Sequence, residues 1–203
     1  MDHADTATRG RILNAALELF ANRGYAGTSV QDIVDAARVT KPVLYYYFRN
    51  KSGLYQALVD TAHDERYRVM REAGAGGPDV ESKLVGTISA LFQFLKAHRA
   101  LMALAFATTF AASEELPREI RYIEKARRNF EVVRDIIRDG QASGGLSNDF
   151  DVEELARGIW GMMSIYVMAE LVTPGVPLDQ QRAVDIVRLF LNGAATTSAR
   201  QTH

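Results

Sequence analysis

Apolar residues return every three or four positions along most of this chain, and that period admits helices and little else. Between Thr8 and Arg23, the residues Ile12, Ala15, Ala16, Leu19 and Phe20 fall at i, i+3, i+4, i+7 and i+8, and Gly24 supplies the stop. A short helix over 30–37 follows, capped by Thr28 or Ser29, with Val30, Ile33, Val34 and Ala37 inward. Thr40 is a natural cap for a third helix from Lys41 to about Arg49, with Pro42 in the first turn, where a missing N–H is harmless. Asn50, Lys51 and Ser52 break the pattern before a longer helix over about 53–73, which the GAGGP segment at 74–78 ends. Beyond it the period predicts helices over about 79–97, 100–112, 117–140, 151–172 and 178–195. Nine helices and no convincing strand make the expected fold class all-α.

The third helix poses a packing problem. Its sequence, KPVLYYYF, carries three consecutive tyrosines, yet a helix resting on its own core buries a single stripe. With Leu44 and Phe48 as that stripe, Tyr46 points to the far side beside Pro42 and Val43, and Tyr45 and Tyr47 lie on the shoulders. The chain as a whole has a net charge of −1, from 24 basic and 25 acidic side chains, which argues against a general nucleic-acid coat. Locally the balance differs. No acidic residue lies between Asp35 and Asp60, whereas Arg38, Lys41, Arg49 and Lys51 all do.

An apolar centre bordered by hydroxyls and cations suits a DNA major groove. Apolar groups meet thymine methyls, Lys41 donates to guanine, and Tyr45, Tyr47 and Lys51 reach phosphates. The preceding helix would complete a helix-turn-helix, with Thr28 and Ser29 near phosphate at its N-terminus. Tyrosine clusters also close ordinary protein interfaces, and spacing alone leaves both readings open.

Several separate pieces of residues 12–59 are similar to the DNA-binding head of the TetR family of transcriptional regulators: the first helix ending in RGY, the TSVQDI start of the second, the V-T-K turn, L-Y-Y-Y-F, and K-S-G-L opening the fourth. The resemblance implies a helix-turn-helix DNA-binding domain over 1–52 and a ligand-binding and dimerisation domain over 53–203. It implies that Thr28, Ser29 and Gln31 contact backbone or base, that Lys41, Pro42, Val43 and Tyr46 face the groove, and that Tyr45, Tyr47 and Lys51 hold phosphates. The implied function is a homodimeric, ligand-responsive regulator, expected to be a repressor, on a pseudo-palindromic operator in double-stranded DNA. An activator of the same fold, or a protein-interaction module using the tyrosine face, are the alternatives. Arg38 stands where the family usually has glycine, and a left-handed conformation there would cost on the order of 1 kcal/mol.

Family members dimerise through their last two helices. Here those helices carry Gly158, Gly161, Met162 and Ile165, then Val184, Val187, Leu191 and Ala194, and an intrachain core is the competing reading for all of them. The family's small-molecule pocket would draw on Leu91, Phe94, Leu95, Met102, Phe106, Phe110, Tyr122, Met163 and Tyr166, an apolar and aromatic set suited to a hydrophobic effector. For any single one of them, an ordinary core position is the stronger reading.

Catalysis finds no support. The chain has no cysteine, hence no thiol chemistry, and no GxSxG, P-loop or metal-ligand spacing. Neither His63 nor His98 has a second histidine four residues away, and Arg121, Lys125, Arg127 and Arg128 alternate with Glu119, Glu124 and Glu131 as a solvated face does. No cofactor, metal or catalytic residue is expected. With neither a secretory leader nor an uninterrupted apolar span, the expectation is a cytoplasmic protein without a membrane partner.

Overall fold

A computed structural model describes residues 3–111 and 116–193. Among the described residues there are nine helices and no strand: α1 (His3–Arg23), α2 (Val30–Ala37), α3 (Lys41–Phe48), α4 (Lys51–Gly74), α5 (Val80–Ala97), α6 (Arg99–Phe110), α7 (Ile123–Ala142), α8 (Val152–Val172) and α9 (Gln180–Asn192). The all-α expectation is met, and most ends fall within two residues of those the period predicts.

Three ends move further. The first helix begins at His3, five residues ahead of Thr8, and Asp5 in its first turn suits the positive end of the helix dipole. The helix expected from residue 117 begins only at Ile123. Ile120 N–H reaches the Pro117 carbonyl in a single turn, and Gln56 then takes both backbone groups of Arg121: the Arg121 N–H donates to Oε1 at 2.7 Å, and Nε2 donates to the Arg121 carbonyl at 3.0 Å. Backbone groups that a helix would pair internally are spent on a side chain. The last helix ends at Asn192, with Gly193 at φ +66° as its cap, so Ala194 lies outside the described residues.

The chain divides into two compact units, Met1–Glu65 with His98–Ala126, and Arg66–Ala97 with Arg127–His203. The core of the first is built from Ile12, Ala16 and Phe20 of α1, Ile33, Val34 and Ala37 of α2, Leu44 and Phe48 of α3, and Leu54, Tyr55, Leu58 and Val59 of α4, closed by Leu104 and Ile120. Tyr55 meets Phe20 and Tyr25 edge to face, with centroids 5.0 and 5.1 Å apart. A two-turn helix such as α3 is unstable alone, so the buried pair Leu44 and Phe48 holds it in place.

In the second unit, Leu84, Ile88, Leu91, Phe92 and Leu95 of α5 are buried, as are Ile159, Met163 and Val167 of α8 and Ala183, Ile186 and Val187 of α9. Gly140 near the end of α7 is needed for space: a Cβ there would sit 2.8 Å from Val80 Cγ2. By length and composition α8 passes as a membrane-spanning helix. It buries only one stripe, while Ile165, Met168 and Val172 stay exposed at 53, 39 and 77%.

The turn between α2 and α3 is a Schellman stop. Val39 N–H reaches the Val34 carbonyl and Arg38 N–H the Asp35 carbonyl, which puts Arg38 in the left-handed region at φ 54°, ψ 50°. This is the conformation that glycine adopts without strain. Arg38→Gly is therefore expected to raise the free energy of unfolding by roughly 0.5–1 kcal/mol in a urea titration. An unchanged midpoint would mean that the arginine side chain offsets its own backbone strain.

Candidate nucleic-acid interface

The start of α2 is fixed by a reciprocal cap. Asp32 N–H donates to Ser29 Oγ at 3.1 Å, and Ser29 N–H and Oγ donate to Asp32 Oδ2 at 2.8 and 2.6 Å. The Ser29 hydroxyl, then its N–H, then the charge of Arg23 hold the Asp32 carboxyl below its ordinary 3.8. The cap's contribution is thus complete above that ordinary value and is lost only as pH falls through the lower folded one. Gln31, exposed on the next turn, donates to Asp35 at 2.8 Å.

Two residues that the sequence places at phosphates turn inward instead. Thr28 is buried, and its hydroxyl donates to the carbonyls of Gly24 at 2.9 Å and Leu19 at 3.3 Å, closing the turn between α1 and α2. Lys51 Nζ donates to the carbonyls of Tyr25 at 3.0 Å and Thr28 at 2.9 Å and lies 4.0 Å from the centre of the Tyr25 ring. Burial pushes its pKa below the ordinary lysine value. Both residues secure the base of the helix-turn-helix.

Outward, α3 presents the face that its sequence predicts. Leu44 is fully buried and Phe48 nearly so, whereas Tyr46 is 78% exposed and Tyr45 45%. Lys41 and Pro42 are exposed as well, and Val43 is half-buried against the core. Tyr47 is committed elsewhere: its hydroxyl donates to Asp5 Oδ1 of α1, a bond that pushes the phenol up to about 12. Its ring meets Tyr46 edge to face at 5.0 Å. Sequence reasoning missed this tether, since no local pattern links residues 42 positions apart. It also left Arg38 and Arg49 out of the site. Both are exposed cations with positive φ, one at each end of α3, and the acid-free interval was the signal that contained them.

The other predicted positions scatter. Met102 is buried in the first unit, Tyr122 packs on the core beneath the helix-turn-helix, Phe106 is half-buried and Phe110 is 71% exposed. In the second unit Leu91, Phe94, Leu95 and Met163 are buried and Tyr166 is half-buried beneath the Arg182 guanidinium at 5.5 Å. Of the positions read as an interface, Gly158, Gly161 and Ile165 are exposed on α8, and Met162, Val184 and Leu191 are half-buried. Val187 is fully buried within its own unit, because it lies on the inward stripe of α9 with Ala183 and Ile186, and so it cannot line an interface.

A capped two-turn helix, a tight Schellman turn and a second short helix with an exposed, cation-flanked face make up a helix-turn-helix of the DNA-binding type. Residues 12–58, the segment that carries this helix-turn-helix, match the family of bacterial regulatory proteins, tetR family. The chain is similar to the transcriptional repressor KstR2 of Mycolicibacterium smegmatis, 25% identical with 96% of this chain and 94% of that one covered. It is also similar to the transcriptional activator FasR of the same organism, 30% identical over 58% of this chain and 54% of that one. Among solved structures, that of the regulator FadR from Bacillus subtilis in complex with stearoyl-CoA superposes with a TM-score of 0.76 at 23% identity, over 91% of this chain and 98% of that one.

Removing the ammonium that bridges Tyr25 and Thr28 leaves two carbonyls short of a donor. Lys51→Ala is expected to lower stability by about 1–2 kcal/mol and to speed amide exchange at the start of α2. A loss of DNA affinity with unchanged exchange would restore Lys51 to the phosphates.

Proposed function

We propose that this protein is a homodimeric, ligand-responsive repressor that occupies a pseudo-palindromic operator through α3. The observation that carries the reading is the exposure of Tyr46 on a helix whose opposite side is locked into the core by Leu44 and Phe48. A large ring held in water by a rigid scaffold needs a partner to be worth presenting, and Lys41, Arg38 and Arg49 around it favour a polyanion. In this reading Lys41, Pro42, Val43 and Tyr46 read bases, and Ser29, Gln31 and Tyr45 hold the adjacent backbone. Residues 1–52 act as the DNA-binding domain and 53–203 as the body that binds ligand and pairs.

Pairing is supported by α8. Gly158, Gly161, Ile165, Met168 and Val172 repeat at alternating steps of three and four and are all exposed. Small residues followed by bulky ones allow a second helix to approach closely, and a two-fold pair presents two copies of α3 to an inverted repeat. Ile165→Asp is expected to shift the protein from dimer to monomer mass in sedimentation while helicity is kept. A wild-type monomer would remove the symmetric operator from the reading.

An apolar effector is supported by the apolar residues Leu91, Phe94, Leu95 and Met163 buried in the second unit and by the stearoyl-CoA bound in the similar FadR structure. The similarity to an activator, FasR, favours one further reading, occupancy that recruits transcription instead of blocking it. Selection from a randomised duplex pool at near-physiological salt tests the core of the proposal. An inverted repeat should be enriched by the wild type, and the Lys41→Ala, Tyr46→Ala double variant should lose it, at a cost of about 1–3 kcal/mol per base contact, with helicity and mass intact. Equal enrichment by both proteins would take this face out of recognition.

A further inference from the structure

The second unit holds a cation that its surroundings do not explain. Arg66, on α4, is only 6% exposed, and its Nε has no acceptor. Among the described residues no carboxylate forms an ion pair with it, and burial alone pushes it down to about 10. The one favourable contact shown is aromatic: the guanidinium carbon lies 5.7 Å from the centre of the Trp160 ring on α8, which in turn meets Phe130 of α7 edge to face at 5.7 Å. A cation–π contact recovers only part of what it costs to take a guanidinium out of water. A buried cation left short of an anion is a mark of a binding site more than of a scaffold.

We infer that Arg66 is the anchor for the carboxylate of an organic acid whose apolar or aromatic body packs on Trp160 and Phe130. The planar fork of a guanidinium matches a carboxylate with two parallel hydrogen bonds, and one buried positive charge balances one negative charge. A phosphate ester would bring a second, uncompensated charge beside the same guanidinium. Elsewhere in this unit a cleft of about 320 Å³ also carries cations, but there Arg71, Lys83 and Arg128 share the lining with the three carboxylates of Glu131, Asp135 and Asp139. The inference rests on the ligand-responsive reading above and names the chemistry of the effector.

Trp160 is the only tryptophan in the chain and therefore reports directly on the surroundings of Arg66. Full-length protein without DNA would be titrated with matched pairs that differ in the carboxylate, decanoate against decan-1-ol and phenylacetate against benzyl alcohol, together with decanoyl-CoA as a phosphate-bearing source. At least one acid should change Trp160 emission saturably and bind about tenfold or more tightly than its alcohol. Arg66→Met should weaken the acid by a similar factor, leave the alcohol unchanged, and melt at or above the wild-type temperature without ligand, since an apolar side chain removes the desolvated charge. Should that variant fail to fold, Arg66→Lys keeps the charge without the fork and should still weaken the acid severalfold. Equal affinity for acid and alcohol, undiminished acid binding by the variant, a response to decanoyl-CoA alone, or no response to any acid would each overturn the assignment. Acid binding that leaves operator affinity unchanged would instead overturn the ligand-responsive reading and leave the anchor standing.

Discussion

Leu44 and Phe48 enter the core of the first unit one helical turn apart, and the orientation of every other side chain on α3 follows from that pair. Eight residues are too few for a helix to persist in water, so its geometry is borrowed from α1, α2 and α4 through these two buried anchors. Once they are seated, the helical rotation carries Tyr46 to the opposite side and leaves Tyr45 half in water. The face offered to a partner is thus set by what is hidden. Substitutions at Leu44 or Phe48 would disorder recognition without touching a recognition residue.

The amino-terminal half of α4 fastens its own unit in several directions. Lys51 ties it to the carbonyls ahead of α2, Ser52 donates to Glu119, Gln56 holds the backbone of Arg121, and Lys125 pairs with Asp60 and Asp64 at 3.3 and 2.8 Å. Individually these half-exposed contacts are modest. Together they tie the helix to the segment before α2 and to residues 119–125.

Features contained within one element were legible in the sequence. The inward stripe Ile12, Ala16 and Phe20, the capping residue Ser29, the stop at Arg38 and the outward turn of Tyr46 each follow from spacing along a single helix. What escaped depends on partners far along the chain. Thr28 and Lys51 read as surface polar groups until the carbonyls they serve are placed in space, and the loop at Arg121 reads as helix until Gln56, 65 positions away, claims its backbone. Arg66 sits in the polar run DERYR, where nothing in the sequence distinguishes a buried arginine from a solvated one.

The bond from Tyr47 to Asp5 joins the helix that would face DNA to the first turn of α1. Anything that loosens that turn also frees a phenol beside Tyr46 and removes a fixed negative charge from its neighbourhood. A purification tag fused ahead of α1 would therefore not be a neutral handle. Binding constants measured with such a tag would describe an altered reading head.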